Sequence, residues 1–266
     1  PLWRNLNTPH GLCDSFVYDV EFAKNELWIA TWSGANRVTG DPADRKSWEC
    51  FTVENTSAGL IDNWVYALEI GKDGRVWFGT ESGLSMFDGK KWRSWNHDAG
   101  LGAAFEQVQS ENRGVMPFFQ GEHHNHYKQH GKASNNGFQI FRPNYILSMM
   151  LDKNGNLWIG TWGGGLSFLD TQSYRLRNFT VRDGLPGNFI LALKEDSTGN
   201  LLIGTNNGLS RFDGATFTNF SKLNGLTSDF IFSIEIGPDR SIWLGGHKGI
   251  DRLKRDPATG DLSRID

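Results

Sequence analysis

The sequence predicts an all-β chain folded as a β-propeller of four-stranded antiparallel blades, and three observations carry that expectation. The dipeptide Gly-Leu recurs at positions 11, 59, 100, 184 and 225, at spacings of 48, 41, 84 and 41 residues, so the underlying period is near 42. A second marker keeps step with it: Trp28-Ile-Ala-Thr31, Trp77-Phe-Gly-Thr80, Trp158-Ile-Gly-Thr161, Leu202-Ile-Gly-Thr205 and Trp243-Leu-Gly-Gly246. Composition is the third, because 11 Trp, 18 Phe and 32 Gly against 8 Pro describe short aromatic strands separated by tight turns. Repeats of this length holding four short strands bury their faces only against neighbouring repeats, which is the logic of a propeller.

The clearest repeat runs from Asn188 to Leu226 and reads as four strands, Phe189 to Glu195, Leu201 to Thr205, Leu209 to Phe212 and Thr216 to Phe220. Its first turn, Asp196 to Asn200, has counterparts in Asp152 to Asn156 and Gly71 to Arg75, each with a glycine suited to the left-handed position of a hairpin. These acidic turns resemble Asp-box hairpins and are read as folding signals. The inner strand alternates Trp64, Tyr66, Leu68 and Ile70 with Val65, Ala67 and Glu69. It is apolar on both faces, as a blade sandwiched between two others requires.

Five repeats leave Gly102 to Pro143 to be explained. Phe105 to Val108, Val115 to Phe119 and Phe138 to Phe141 are strand-like, although the Trp-x-Gly-Thr marker is missing there. A structureless loop of that length is improbable in a compact domain, so a degenerate sixth blade is favoured over a long loop on a five-bladed ring. The expectation is one propeller domain over 1–266, with an atypical blade or insertion at about 102–143. Leu2 to Leu6 resembles the outer strand Trp92 to Trp95 and is expected to complete the last blade. Leu262 to Ile265 also reads as an outer strand, which makes one strand surplus or the chain a piece of a longer array.

The formal net charge of −3 and the absence of a Lys or Arg block supply no footprint for nucleic acid. No apolar run approaches the roughly 18 to 20 residues of a membrane span. Cys13 and Cys50 form no CxxC pattern, and two buried or unpaired thiols are favoured over a bridge between them.

The composite pattern Gly184-Leu-Pro-Gly-Asn-Phe-Ile-Leu-Ala-Leu-Lys-Glu-Asp196 followed by Gly199-Asn-Leu-Leu-Ile-Gly-Thr-Asn-Asn-Gly-Leu-Ser-Arg-Phe-Asp-Gly214 resembles the two-component regulator propeller repeat. Gly155 to Leu169 and Gly74 to Gly89 match it as well. The resemblance implies a periplasmic or extracellular sensory module of a signalling system, of the kind tuned to carbohydrate fragments. It says less about function than about fold.

The residues that follow the Thr marker are Trp32-Ser33, Glu81-Ser82, Trp162-Gly163, Asn206-Asn207 and His247-Lys248, a column that varies on a repeated frame. Such loops open on one end face around the central channel. Two Trp with Glu, Asn and His there would suit a small polar or carbohydrate-like ligand, by ring stacking and hydrogen bonds. Trp32, Ser33, Glu81, Trp162, Asn206, Asn207, His247 and Lys248 are therefore the candidate ligand-binding residues. A second column, Ser15, Asn63, Asn144, Asn188 and Asp229, opens each inner strand and is expected to satisfy turn backbone groups.

Glu122 to His130 holds four of the seven His in nine residues, and His123, His124, His126 and His130 are candidate ligands for a transition metal or a contact for a protein partner. No nucleophile elbow, zinc-protease helix or phosphate-binding loop is present. The leading expectation is a non-enzymatic ligand-binding or sensory propeller. The alternatives are a docking scaffold using the His-rich segment, and a lyase or hydrolase like the streptogramin lyases, whose repeats look similar, with His247 and Glu81 as acid and base.

Overall fold

Every repeat identified by the Gly-Leu and Trp markers folds into one four-stranded antiparallel sheet, giving five in all among the described residues. The structure is a computed structural model and describes residues 3–112, 142–256 and 262–264. Blade one contains β1 (Val17–Ala23), β2 (Glu26–Thr31), β3 (Gly34–Thr39) and β4 (Trp48–Phe51). Blade two contains β5 (Val65–Ile70), β6 (Val76–Thr80), β7 (Leu84–Phe87) and β8 (Trp92–Trp95). Blade three contains β9 (Arg142–Leu151), β10 (Leu157–Trp162), β11 (Leu166–Leu169) and β12 (Leu176–Phe179). Blade four contains β13 (Ile190–Glu195), β14 (Leu201–Thr205), β15 (Gly208–Phe212) and β16 (Phe217–Phe220), and blade five β17 (Ile231–Ile236), β18 (Ile242–Gly246), β19 (Gly249–Arg255) and β20 (Leu262–Arg264). Each sheet is a simple meander from inner to outer strand. The inner strands β1, β5, β9, β13 and β17 pack side by side in that order.

The marker residues have separate jobs. The Thr hydroxyl donates across its own hairpin to a glycine carbonyl, from Thr31 to Gly34 at 2.8 Å, Thr80 to Gly83 at 2.7 Å, Thr161 to Gly165 at 2.8 Å and Thr205 to Gly208 at 2.9 Å. All four Thr side chains are fully buried, so the bond satisfies a carbonyl that water cannot reach. The Trp or Leu that opens the marker faces the following blade. Trp28 packs with Val65 and Leu68, Trp77 with Ile146 and Met149, and Trp158 with Ile190 and Ile203.

A β-bulge recurs near the start of the inner strand, between Val17 and Asp19, Val65 and Ala67, Ile190 and Ala192, and Ile231 and Ser233. The extra residue turns the side-chain alternation over. Positions three apart, such as Val65 and Leu68, then face the same neighbouring blade, and this is why the inner strand reads as apolar throughout.

The first hairpin of blades two, three and four has its glycine in the left-handed region, at Gly74, Gly155 and Gly199, while blade five uses Arg240 there at φ 64°. The expected strands of the fourth repeat match to within one residue.

Three expectations change. Phe105–Val108 is a one-turn helix, not a strand, and Gly100-Leu101 packs with blade three, where Leu101 is buried against Ile146 and Leu157. Blades two and three touch directly, so residues 102–143 enter between the Gly-Leu of the third repeat and its inner strand. No sixth sheet lies among the described residues, and residues 113–141, with two of the three strand-like pieces, fall outside them. Residues 3–7 form no strand, and the fourth strand of blade five comes from Leu262–Arg264.

The third change is covalent. Cys13 and Cys50 form a disulfide with Cα atoms 5.8 Å apart. Their sequence separation of 37 hides this proximity. Cys50 pairs with Asn36 across β3 and β4, and the Asn36 side chain accepts the Cys13 N–H at 2.7 Å, so the chain before β1 is laid over the outer strands.

Candidate functional site

The inner strands begin on one end face, and there the structure shows a column that the sequence reading passed over. The residue after Ser15, Asn63, Asn144, Asn188 and Asp229 is aromatic in every blade: Phe16, Trp64, Tyr145, Phe189 and Phe230. The backbone carbonyl of this aromatic accepts the N–H of the residue after the Thr marker, at 3.1 Å for Trp32, 3.2 Å for Glu81, 3.2 Å for Asn206 and 3.3 Å for His247. The candidate column is thereby held beside a ring of aromatic side chains.

Trp32 stands edge-on to Phe16 of its own blade and to Trp64 of the next, at centroid separations of 5.1 and 5.0 Å. Trp162 is likewise flanked by two rings, tilted against Tyr145 at 5.7 Å and edge-on to Phe189 at 5.3 Å. Tyr66 extends this second group to blade one, 4.8 Å from Tyr18 and 4.8 Å from Tyr145. The result is an aromatic track in two segments, Phe16–Trp32–Trp64 and Tyr18–Tyr66–Tyr145–Trp162–Phe189, across blades one to four. Such ring contacts hold the side chains in place; Trp32, Trp64, Tyr66 and Trp162 are half-buried, while Tyr145 and Phe189 are buried.

A charged pair is set into the track. Arg142 donates to Glu81 at 2.9 Å, and the Tyr66 hydroxyl donates to the other Glu81 oxygen at 3.3 Å. Burial, with Tyr145 and Glu81 alongside, raises the Tyr66 phenol above its ordinary range, so it remains a donor.

The other candidates divide. Ser33 donates to Asp14 at 3.1 Å, Ser82 donates to Asp62, and Asn207 donates to the Pro186 carbonyl at 2.8 Å, so these side chains tie each hairpin to the loop before its inner strand. Asn206 is buried and accepts the Phe189 N–H at 3.3 Å. His247 and Lys248 are exposed on blade five. In the second column, Asn63, Asn144, Asn188 and Asp229 each accept a backbone N–H from the end of the preceding blade or repeat, at Val53, His97, Val181 and Lys222.

The start of the insertion covers part of this face. Ala103 N–H donates to Gly164, the Asn112 amide donates to the Gly163 carbonyl at 2.7 Å, and Glu111 accepts from Arg182 and Asn188. Blades three and four are capped by the chain's own residues, and Gly163, Asn188 and Phe189 are buried beneath them. The candidate metal ligands His123, His124, His126 and His130 lie outside the described residues. Among the described residues no group of three or more His, Cys, Asp or Glu is placed to hold a metal ion.

On the opposite face, where the first hairpins lie, two cavities of about 340 and 430 Å³ flank the Asp152–Asn156 turn, and none of the candidate column lines either. The larger holds the Glu69 carboxyl, pushed up to about 8 chiefly by burial.

Residues 59–82, 140–163 and 184–207 match the two-component regulator propeller family. No curated protein matches the chain. Among solved structures, the extracellular domain of a B. thetaiotaomicron protein described as a hybrid two component system aligns with a TM-score of 0.61 at 20% identity, over 92% of this chain and 30% of its own. Virginiamycin B lyase from Staphylococcus aureus aligns at 0.59 and 14%, over 95% and 70%. PorZ, a surface component of the type-IX secretion system of Porphyromonas gingivalis, aligns at 0.62 and 14%, over 95% and 35%. The chain spans 27% and 30% of the first two B. thetaiotaomicron chains it matches. At these identities the likeness is one of fold. With its five four-stranded sheets the chain is a β-propeller, and three of its segments match the two-component regulator propeller family.

Proposed function

We propose that this propeller is a non-enzymatic, extracytoplasmic sensory module that binds a small polar, carbohydrate-like ligand at the aromatic end face. The observation that carries the reading is the Glu81–Arg142 pair beside Tyr66 and Trp64, with Trp32 edge-on to Trp64. Sugar rings present apolar C–H faces and a rim of hydroxyls. Aromatic faces take the first, and a carboxylate beside a guanidinium takes the second as acceptor and donor.

The compartment is supported from two sides. The B. thetaiotaomicron relatives are extracellular domains, and the Cys13–Cys50 disulfide belongs to an oxidising environment. Among the described residues no helix is long and apolar enough to cross a membrane. As for the lyase reading, Glu81 is already engaged by Arg142 and the Tyr66 hydroxyl, contacts that suit a role in holding a ligand.

Calorimetric titration with a panel of neutral and acidic oligosaccharides tests the proposal. Trp32→Ala and Trp64→Ala are expected to weaken binding by about tenfold or more, the ~1.4 kcal/mol of one lost stacking contact. Unchanged affinity in both variants would sink the assignment of the face.

A further inference from the structure

Two of the clefts between neighbouring blades are built on one aromatic frame. Between blades one and two, Trp28 packs on Phe51 at 5.5 Å, and Phe51 on Phe87 and Trp92 at 5.6 and 5.7 Å. Between blades three and four, Trp158 packs on Phe179 at 5.9 Å, and Phe179 on Phe212 and Phe217 at 5.6 and 5.7 Å. The rings correspond one to one, and the side chains laid over them differ. In blade one that layer is charged and closed on itself. Arg37, opposite Trp28 across the hairpin, lies over the indole at 5.8 Å and is held by Glu26 and, at 3.8 Å, by Glu49.

The matching positions of blade three are Asn156, Phe168 and Arg177. Asn156 stands two residues before the marker Trp, as Glu26 does. Phe168 lies opposite Trp158, and Arg177 opposite Phe168 as Glu49 lies opposite Arg37. Two acids and a base are thus replaced by an amide, a ring and a base. The closed ion-pair layer is lost, and its net charge turns from negative to positive. All three residues line the cavity of about 340 Å³ on the hairpin face, over Trp158, Phe179 and Phe212. That volume is at the small end of the ~300–1,000 Å³ of small-molecule sites and suits a single ring system. The two carboxylates of the lining are engaged: Asp152 accepts the Asn154 and Asn156 N–H groups at 2.9 and 3.0 Å, and Glu195 accepts the Lys153 N–H at 2.8 Å. The two cations are not. Among the described residues the Lys153 amine and the Arg177 guanidinium have no ion pair, and Arg177 lies over the Phe179 ring at 4.4 Å. The capacity left in the cleft is for a flat apolar body beside an anion.

We infer that the cleft between blades three and four is a second binding site, for a small aromatic carboxylate whose ring packs on Phe168 and Phe179 and whose carboxylate lies between Arg177 and Lys153. The cleft is on the face opposite the aromatic track and shares no residue with it, so the inference stands apart from the ligand proposed there.

Calorimetric titration of the full chain with indole-3-acetate up to ~10 mM tests this, since a ligand of that size at ordinary efficiency binds with a dissociation constant on the order of 1 mM or tighter. Wild type is expected to bind it, and to bind indole-3-acetamide, which keeps the ring and loses the charge, about tenfold more weakly. Arg177→Gln changes an exposed side chain and should weaken the acetate by about tenfold while leaving the acetamide unchanged. Asn156→Glu with Phe168→Arg and Arg177→Glu reproduces the blade-one layer on blade three. Because that layer already stands on a matching ring frame, the triple variant should keep the wild-type circular dichroism spectrum and bind no indole-3-acetate. Trp32→Ala should bind it as wild type does. Absence of binding by wild type, equal affinity for acetate and acetamide, an unchanged Arg177→Gln, retained binding in the triple variant, or loss of binding in Trp32→Ala overturns the inference.

Discussion

Replacing Glu69 with Gln removes a carboxyl that burial pushes well above its ordinary range. Glu69 lies on β5 and lines the larger cavity with Lys72, Asp73, Arg75, Asp152, Lys153 and Glu195. Burial is the main cause that pushes its carboxyl up to about 8; the Leu151 backbone N–H opposes the shift, Glu21 and Asp19 of blade one add to it, and Lys194 of blade four opposes it weakly. In the unfolded chain the same group titrates at its ordinary value of 4.5. Between these values unfolding releases a proton, so the stabilising protonated form present below 4.5 is lost as pH rises and its contribution is gone above about 8. The full span corresponds to ~5 kcal/mol, and solvent screening of a group that lines an open cavity brings the expected difference nearer ~2 kcal/mol. Urea denaturation at intervals from pH 4 to pH 9 should show wild type losing that amount. Glu69→Gln should have a flatter profile and exceed wild type by a Tm difference of at least ~4 °C at pH 9. Parallel profiles for the two proteins would refute the placement of Glu69 as a buried, protonated group.

Three further outcomes follow from the packing. Reducing the Cys13–Cys50 bridge, or making Cys13→Ser with Cys50→Ser, should cost ~4 kcal/mol by release of the loop it closes, measured as a thermal shift with and without reductant; no shift would mean that the thiols are unpaired. Trp77→Ala should cost ~3–5 kcal/mol in denaturant unfolding, whereas Trp243→Ala at the matching position of blade five should cost under ~1 kcal/mol, and equal costs would contradict the exposure of that face. Thr205→Val, nearly isosteric, should cost ~1–3 kcal/mol because it leaves the Gly208 carbonyl buried without its donor, and a neutral effect would remove the rationale offered for the marker Thr.

The fold was legible wherever the repeat was intact. Trp77 and Thr80 announce a strand because they act within one blade and its neighbour, and the same demand recurs in three other blades. Residues 102–112 were misread because Phe105 and Val108 carry strand-like propensity in a segment whose conformation is set by where it docks, on Gly163, Gly164 and Asn188 of other blades. The disulfide escaped for a related reason: Cys13 precedes the first strand and Cys50 lies in the fourth, and only the sheet brings them together.

The candidate face was half legible. Trp32, Glu81 and Trp162 were found as variation after the Thr marker, and the structure places all three in or beside the aromatic track. The aromatic column itself was visible in the sequence, one residue after each small polar residue that opens an inner strand, but apolar alternation was read there as core. The bulge explains the difference, because it releases that first aromatic from the face buried between blades. Arg142 could not be found this way, since it stands where other repeats carry Ile61 and Pro186, and no charge recurs at that position.

Hydroxyl-radical footprinting of the aromatic residues with and without a bound oligosaccharide tests the central claim most directly. The account predicts that Trp32, Trp64 and Tyr66 become protected while Phe168, at the opposite face, is unchanged. Protection of Phe168 and Arg177 with Trp32 and Trp64 unaffected would contradict it and move the binding site to the hairpin face.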